Sequence, residues 1–335
     1  MNRAEYSVST STRSLIENNL VWDNHSCMPL RPQDESFLPQ LGQFRDAGVN
    51  IVSLNVGFDS VSWENTLPML RCFRDWLAEH DEHYMLVAST EDISEAKKSG
   101  KTGVHFDIEG ACALNGRLEL IETYYELGVR WMLIAYNQNN IAGGGCQDDD
   151  QGLTDFGREM LDEMARVGMV ACCSHTGFKT SMQVMEHTNQ PVIFSHSNPA
   201  AMWQHKRNIS DEAIKACAET GGVIGVNGIG IFLGDNEATV TNMVKHTDYL
   251  VQLVGPDHVG IGLDYVFDRQ EVDDFVKKNP QIFPPEDGYS DGLTMLAPAA
   301  IPELIQGLVE LGYDDDVLCK IMGGNHLRVA RQVWK

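Results

Sequence analysis

The sequence predicts an α/β fold, a (β/α)8 TIM barrel with a C-terminal helical extension, organised as a single domain over residues 1–335. Eight short runs of apolar and β-branched residues have the length and composition of strands that are buried on both faces. Amphipathic stretches with helical spacing separate these runs along the chain. Because eight parallel strands close the commonest barrel, the alternation indicates this fold.

The predicted strands and helices follow one another in regular order. Three amphipathic stretches end at Gly48, Gly128 and Gly168, and glycine is common at helix C-termini. Ser210 and the three aspartates at 314–316 are expected to cap helix N-termini. The predicted strands are 20–25, 49–57, 103–109, 129–136, 169–175, 191–196, 222–227 and 258–264.

Three segments lie outside the repeating pattern. Residues 1–15 are polar and are predicted to form an N-terminal arm. Residues 265–292 contain several prolines and glycines, so we expect a long loop at the rim of the barrel that acts as a lid or specificity loop. Residues 301–335 are predicted to contain two closing helices, 301–311 and 315–334.

The composition excludes two classes of partner. The formal net charge is −23 at pH 7 and the isoelectric point is ≈ 4.7, so the chain repels nucleic acid and anionic membrane surfaces. The N-terminal residues lack the apolar core of a secretory signal, and no run reaches the ~18 apolar residues of a membrane-spanning helix. Eight cysteines occur without a CxxC pair, which indicates reduced thiols in a cytoplasmic protein.

Potential metal ligands stand at the ends of four predicted strands. His25, Glu109, His175 and His196 each end an apolar run, and Asp264 ends a fifth run in the same way. The carboxyl ends of parallel barrel strands meet at one rim, where active sites lie, and catalytic zinc takes imidazole and carboxylate ligands. A single histidine at a strand end is more often a structural, hydrogen-bonded residue. The four ligands together predict a metal-assisted hydrolase.

Two aspartates lie two residues before these ligands. Asp23 precedes His25 and Asp107 precedes Glu109, so the alternation of a strand places each aspartate on the same face as the ligand. We expect these carboxylates to hold ligating histidines in place. The alternative is that either aspartate pairs with an interior arginine or lysine.

A series of motifs in a fixed order covers nearly the whole chain, from Asp23 to Val333. The motifs are the first-strand His25 motif and the segments 108–110, 174–175, 191–197, 207–211, 221–227, 258–264 and 323–329. In this order the chain resembles the membrane dipeptidase (renal dipeptidase, peptidase M19) family of the amidohydrolase superfamily. The resemblance implies a (β/α)8 barrel that holds two zinc ions, and it makes a homodimer an expectation.

The resemblance also implies a role for each metal ligand. Glu109 would bridge the two zinc ions. His25 and residue 27 would complete one metal site, and His175 with His196 would complete the other.

Further roles implied by the resemblance concern the substrate, which would be a small dipeptide-like molecule. Asp264 would act as the acid/base, taking a proton from the attacking water and delivering it to the departing amine. Arg207 would grip the substrate carboxylate, for which a planar guanidinium is well suited. Asn227, at the end of the seventh-strand motif, is expected among the substrate-binding residues.

The chain departs from the family pattern in its first motif. The family motif reads His-x-Asp, whereas this chain has Cys27 in the place of the aspartate. Three outcomes remain open: Cys27 ligates zinc through sulfur, the first site is weak and one ion remains at His175 and His196, or the site is catalytically altered.

Two further features of the rim leave alternatives open. After the fourth strand, Tyr136 stands where the family has a Thr-His pair, so it either donates a hydrogen bond to the oxyanion or packs as an aromatic residue. The three aspartates at 148–150 either bind a substrate ammonium group or form a solvated acidic loop.

The leading prediction is therefore a zinc-dependent hydrolase that cleaves the amide bond of dipeptides or similar small amides, with Asp264 as acid/base. One alternative is a noncatalytic barrel in which Cys27 and Tyr136 have changed the site. The other is a hydrolase that acts on a cyclic amide or a specialised metabolite.

Overall fold

The computed structural model describes residues 5–335 and shows parallel strands surrounded by helices. Within these residues the strands are β1 (Trp22–Cys27), β2 (Ile51–Phe58), β3 (Tyr84–Leu86), β4 (Thr102–Glu109), β5 (Val129–Leu133), β6 (Val170–Cys172), β7 (Val192–Ile193), β8 (Ile224–Val226), β9 (Val259–Ile261) and β10 (Tyr265–Val266).

The strands pair in the order β7-β6-β5-β4-β2-β1-β9-β8, and every one of these pairings is parallel. A parallel bridge between Phe194 and Ile224 joins the two ends of this order. All eight predicted strands are present, so the predicted (β/α)8 barrel is confirmed.

Two short strands, β3 and β10, were missed by the sequence analysis. β3 pairs with Thr102–Val104 at the start of β4, and β10 pairs with Ser26 and Cys27 at the end of β1. Runs this short show no alternation of polar and apolar residues, so their pairing is decided by the neighbouring strand.

The helices of the described residues lie between and after the strands. They are α1 (Thr10–Asn18), α2 (Gly42–Asp46), α3 (Thr66–Glu79), α4 (Thr90–Ser99), α5 (Leu120–Glu126), α6 (Asp155–Val167), α7 (Phe178–His187), α8 (Asp211–Glu219), α9 (Gly230–Leu233), α10 (Val240–Val254), α11 (Arg269–Lys278), α12 (Ile301–Glu310), α13 (Asp315–Cys319) and α14 (Asn325–Val333).

The predicted helix ends are confirmed where the sequence carried a capping residue. The Ser210 hydroxyl accepts a hydrogen bond from the backbone N–H of Ala213, and the Asp314 carboxylate accepts one from Val317. Gly168, with φ of 95°, ends α6 in the left-handed conformation that glycine adopts without strain.

Residues 265–292 are not a continuous loop, because this segment contains β10 and the ten-residue helix α11. The Asp268 side chain caps α11 by accepting a hydrogen bond from the N–H of Glu271. Val272, Phe275 and Val276 of the helix join an apolar cluster above the barrel rim. The prolines and glycines that suggested a loop lie after the helix.

Both chain ends also differ from expectation. The second closing helix is divided into α13 and α14 by a π-helical turn, Lys320–Gly324. Residues 1–4 of the predicted N-terminal arm lie outside the described residues, and α1 begins within the arm at Thr10, after the capping side chain of Ser9.

The lower end of the barrel is filled by apolar side chains from the strands and from α14. Trp131, Val170 and Ile193 of the strands pack with Val329 and Val333 of the helix. The C-terminal helix therefore closes the end of the barrel opposite to the predicted ligands. No helix in the described part of the chain is both long enough and apolar enough to span a membrane.

Candidate metal centre

Three histidines converge on one carboxylate oxygen at the carboxyl ends of the strands. The Oε1 atom of Glu109 lies 3.3 Å from Nε2 of His196, 3.5 Å from Nε2 of His175 and 3.6 Å from Nε2 of His25. All four side chains are buried. The structure thus brings together the four ligands that stand at the ends of four predicted strands.

The opposite ring nitrogen of each histidine is held by a polar neighbour. The Nδ1 atom of His175 lies 2.7 Å from Oδ1 of Asn137, and that of His25 lies 3.3 Å from the Asp107 carboxylate. Because both partners accept hydrogen bonds, Nδ1 of each ring donates, and Nε2 is the nitrogen that faces Glu109. Burial lowers the pKa of His25, but Cys27, Glu109 and Asp107 nearby raise it well above its usual value. In the neutral ring, a proton on Nδ1 leaves the Nε2 lone pair for a metal ion.

His196 is fixed in a similar way, and the electrostatics of the site fit a cation. Its Nδ1 lies 2.8 Å from the Ser195 hydroxyl. Burial lowers the pKa of His175 and of His196 well below the usual value, so both rings are neutral. Burial raises the pKa of Glu109 to about 8, and its Oε1 has no hydrogen-bond partner among the described residues. A metal ion would satisfy this oxygen and favour the ionised carboxylate.

The two aspartates beneath the site have different roles. Asp107 contacts His25 as expected, and it also accepts hydrogen bonds from the Ser53 hydroxyl at 2.5 Å and from the Asn55 amide at 3.0 Å. The expectation for Asp23 is wrong. Its carboxylate instead accepts hydrogen bonds from the backbone N–H of Leu263 and from the hydroxyl of Ser26.

A β-bulge explains why Asp23 does not lie beneath His25. Asp23 pairs with Val52 but Ser26 pairs with Leu54, so β1 has one extra residue relative to β2 over this stretch. The extra residue breaks the alternation of side chains on which the expectation depended. Burial raises the pKa of Asp23 to about 7, although the two hydrogen bonds lower it.

The backbone turns sharply beside the candidate ligands. His175 and Asp264 have φ of 61° and 59°, and Asn137, which holds His175, has φ of 59°. Non-glycine residues seldom adopt this left-handed conformation, and strained positions concentrate at functional sites. His175 and Asp264 lie beyond the last paired residues of β6 and β9, so these turns aim their side chains inward.

Cys27 and Asp264 lie next to His25. The Cys27 Sγ atom is 3.3 Å from Nε2 of His25 and 3.8 Å from Oδ1 of Asp264. The Oδ1 atom of Asp264 is 3.6 Å from the same Nε2, so the three side chains form a second group that could hold a metal ion. Burial raises the pKa of the Cys27 thiol to about 12 and raises the pKa of Asp264.

Asn227 is placed beneath Asp264, not in the cavity wall where a substrate-binding residue would lie. Its Nδ2 donates to Oδ2 of Asp264 at 2.9 Å, and its Oδ1 accepts a hydrogen bond from the N–H of Ile229. The Asn227 side chain is fully buried. Its contacts position the Asp264 carboxylate and leave Oδ1 of that carboxylate toward His25 and Cys27.

Arg207 is buried beside the site, and part of its guanidinium has no hydrogen-bond partner among the described residues. Its Nη2 donates to the carbonyl oxygen of His196 at 3.2 Å, and its guanidinium lies 5.2 Å from the centre of the Phe232 ring. Its Nε and Nη1 have no hydrogen-bond partner within residues 5–335, although the residue is only 2% exposed. Unpaired guanidinium donors in a buried place fit an anionic group of a ligand.

Tyr136 lies over the metal centre. Its ring stacks on the imidazole of His175 with centroids 4.0 Å apart, and it lines a cavity of ≈ 220 Å³ whose floor includes Glu109 and Asp264. The residue thus packs against a candidate ligand and also faces the cavity.

Asp59 was missed by the sequence analysis although it organises the loops around the site. It accepts hydrogen bonds from the backbone N–H of Cys112, from the N–H of Tyr136 and from the Asn140 amide. The one residue in the sequence that could have indicated this role is Gly110. In the structure Gly110 has φ of 117°, and a Cβ atom there would lie 2.1 Å from the Asp59 carboxylate.

The acidic residues at 148–150 stabilise their own loop. The Asp150 carboxylate accepts hydrogen bonds from the N–H groups of Gly152 and Thr180, and Asp148 accepts one from the N–H of Asn139. None of the three aspartates lines the cavity over Glu109. These contacts are those of loop-stabilising carboxylates, and Asp148 and Asp150 also line a second cavity beside His175.

A buried carboxylate faced by three imidazoles, with a second carboxylate beside it at the rim of a (β/α)8 barrel, is typical of the class of metal-assisted hydrolases. The chain belongs to the membrane dipeptidase family (peptidase family M19), whose family model matches residues 38–282. It is therefore a metal-dependent enzyme of the peptidase and amidohydrolase class.

Individual proteins are also similar to this chain. An uncharacterized protein in the pqqA 5′ region of Klebsiella pneumoniae is 28% identical over 282 residues, which are 79% of this chain and 95% of that protein. An uncharacterized dipeptidase of Schizosaccharomyces pombe is 30% identical over 213 residues, 60% of this chain and 50% of the relative. The crystal structure of an amidohydrolase from Pseudomonas aeruginosa superposes with a TM-score of 0.87 at 28% identity, covering 96% of this chain and 99% of the other.

Proposed function

We propose that this protein is a zinc-dependent dipeptidase that hydrolyses the amide bond of dipeptides or similarly small amides, with Asp264 as the acid/base. The observation that carries the proposal is the convergence of three imidazole Nε2 atoms on the unpartnered Oε1 of Glu109, with Asp264 3.6 Å from one of them.

In this proposal five side chains would hold two zinc ions, with Glu109 common to both sites. His25 and Cys27 would complete one site, and His175 with His196 would complete the other. Zinc accepts nitrogen, oxygen and sulfur donors, so the thiolate of Cys27 can take the place of a carboxylate. When bound, the zinc ions would supply the polarisation of the amide carbonyl and the activation of water.

Asp264 would move the proton. Asn227 holds Oδ2 of Asp264, so Oδ1, which faces His25 and Cys27, would take a proton from the attacking water and give it to the departing amine. Burial raises the pKa of Asp264, which suits a carboxyl that must hold a proton during the reaction.

Two further residues would orient the substrate. The unpaired Nε and Nη1 of Arg207 would bind the substrate carboxylate. The Tyr136 hydroxyl would donate a hydrogen bond to the developing oxyanion, while its ring stays stacked on His175.

The test combines metal analysis with turnover. The purified protein is loaded with zinc, its metal content per chain is measured by mass spectrometry, and amino acids released from a panel of L,L and L,D dipeptides are quantified. We expect hydrolysis, and we expect Asp264→Asn to lose at least about 100-fold in kcat with its zinc content retained. Leu311→Ala, an exposed position outside the cavity, is the control that should behave as the wild type. Absence of turnover across the panel, or full activity of Asp264→Asn, would contradict the proposal.

A further inference from the structure

The cavity above Glu109 is enclosed by a circuit of aromatic rings. Tyr136 and Phe58 have ring centroids 5.1 Å apart, and Phe58 and Phe275 are 5.5 Å apart. Phe275 and Phe283 are 5.9 Å apart, and Phe283 returns to Tyr136 at 6.3 Å. All four rings line the cavity, so a ligand above the metal centre would contact aromatic faces and edges.

The charged groups at the mouth of this cavity are carboxylates. Asp268 and Glu271 line the cavity and share the Arg31 guanidinium, which also pairs with Asp34. No lysine or arginine among the described residues lines it. The wall therefore offers no cation to hold an acidic side chain, and its aromatic lining favours an apolar group.

His175 borders both this aromatic cavity and a second, polar one. The second cavity, of ≈ 320 Å³, is lined by Lys206 and Arg207 and also by Asp148 and Asp150, and Arg207 is the residue of this lining whose guanidinium donors are unpaired among the described residues. A substrate held at the metal centre would thus have an apolar wall on one side and guanidinium donors on the other. The two sides differ enough to fix the direction in which a dipeptide binds.

We propose that this enzyme selects dipeptides whose acyl-side residue, the one that contains the attacked carbonyl, carries a large apolar side chain, and that Phe275 and Phe283 determine this selection. The inference rests on the proposed function, because the direction of binding follows from Arg207 holding the carboxylate of the leaving residue. Both phenylalanines belong to the segment 265–292, which gives that segment a role in specificity.

The experiment compares kcat/KM of the zinc-loaded protein for Phe-Gly, Gly-Phe, Lys-Gly and Gly-Gly. We expect Phe-Gly to exceed Gly-Gly by at least about tenfold, because each buried methylene alone can contribute that much discrimination. Lys-Gly and Gly-Phe should not show this gain. The variant Phe275→Ala should lower the ratio of Phe-Gly to Gly-Gly about five- to tenfold, since it removes one ring of the circuit.

Two controls keep the inference separate from the proposed function. Trp203→Ala removes an aromatic side chain that is 37% exposed and lines neither cavity, and it should leave the Phe-Gly to Gly-Gly ratio unchanged. Binding of Phe-Gly and Gly-Gly to zinc-loaded Asp264→Asn, measured by calorimetry, reads the selection without turnover, and Phe-Gly should bind about tenfold more tightly.

A Phe-Gly to Gly-Gly ratio near one, a preference for Gly-Phe, or equal binding of the two dipeptides would overturn the inference. An unchanged ratio in Phe275→Ala would overturn the role of the 265–292 segment. A protein that cleaves none of the dipeptides but still binds Phe-Gly more tightly would refute the proposed function and leave the selectivity of the cavity supported.

Discussion

Replacement of Asp107 by asparagine would test whether this buried carboxylate sets the zinc affinity of the site. Asp107 is fully buried and accepts hydrogen bonds from Ser53, from Asn55 and from the Nδ1–H of His25. Asparagine has the same shape but only one accepting oxygen, and it carries no charge. The variant therefore weakens the hydrogen bond that fixes the His25 tautomer and orientation.

The expected loss of zinc affinity in Asp107→Asn follows from the number of ligands that the substitution affects. His25 loses its charged hydrogen-bond partner, while the neutral partners of His175 and His196 are unchanged. Loss of such a supporting carboxylate lowers metal affinity about 10- to 100-fold, which corresponds to about 1.4 to 2.7 kcal/mol. The weakened ion should be the one beside His25.

The assay is a competition titration of zinc against a chromophoric chelator, with the unfolding midpoint measured in parallel. Asp23→Asn is the matched control, because Asp23 is equally buried but bonds to Leu263 and Ser26 and not to His25. We expect the zinc affinity of the control to stay within about threefold of the wild type. Wild-type affinity in Asp107→Asn, or an equal loss in Asp23→Asn, would refute this account of the site.

Three further predictions concern other parts of the molecule. Cys27→Ala should lower bound zinc from two ions to one per chain and Cys27→Asp should restore the second, as measured by mass spectrometry; unchanged stoichiometry in Cys27→Ala would rule out ligation by the thiol. Gly110→Ala should destabilise the fold by about 3 kcal/mol or more and lower the Tm, because its Cβ would meet the Asp59 carboxylate at 2.1 Å and its φ is 117°. Burial lowers the pKa of His326 from 6.5 to about 4. As the pH falls, the unfolded chain therefore binds this proton before the folded chain does. The stabilisation of the fold by the neutral imidazole is fully present above pH 6.5 and is lost as the pH falls toward 4. The loss should reach about 3 kcal/mol, and His326→Gln should show a flatter dependence of the denaturation midpoint between pH 7 and 4.5.

The site could be predicted from sequence where ligands follow regular strands. Glu109 and His196 stand at the ends of short apolar runs, and a parallel barrel brings such ends to one rim wherever the runs pair. The same holds for Asp107, whose position follows from strict alternation with Glu109 along β4.

The prediction failed where a local irregularity breaks that regularity. The bulge in β1 turns Asp23 toward Leu263, and no residue in the run 20–25 predicts this bulge. Helix α11 was not predicted because the residues that follow it are rich in proline, although residues 269–278 themselves contain neither proline nor glycine. Asp59 gave no signal beyond Gly110, because its three hydrogen-bond donors come from loops that are distant in the sequence.

The sequence by itself determined the barrel, the rim on which the ligands stand and the residue types that can bind metal, because these follow from strand length, alternation and side-chain chemistry. Only the tertiary structure decided which buried group supports which histidine, that Asn227 holds Asp264, and that α11 brings Phe275 to the cavity wall. These features depend on contacts between segments far apart in the chain, where the strain of a left-handed turn or a bulge is offset by the packing around it.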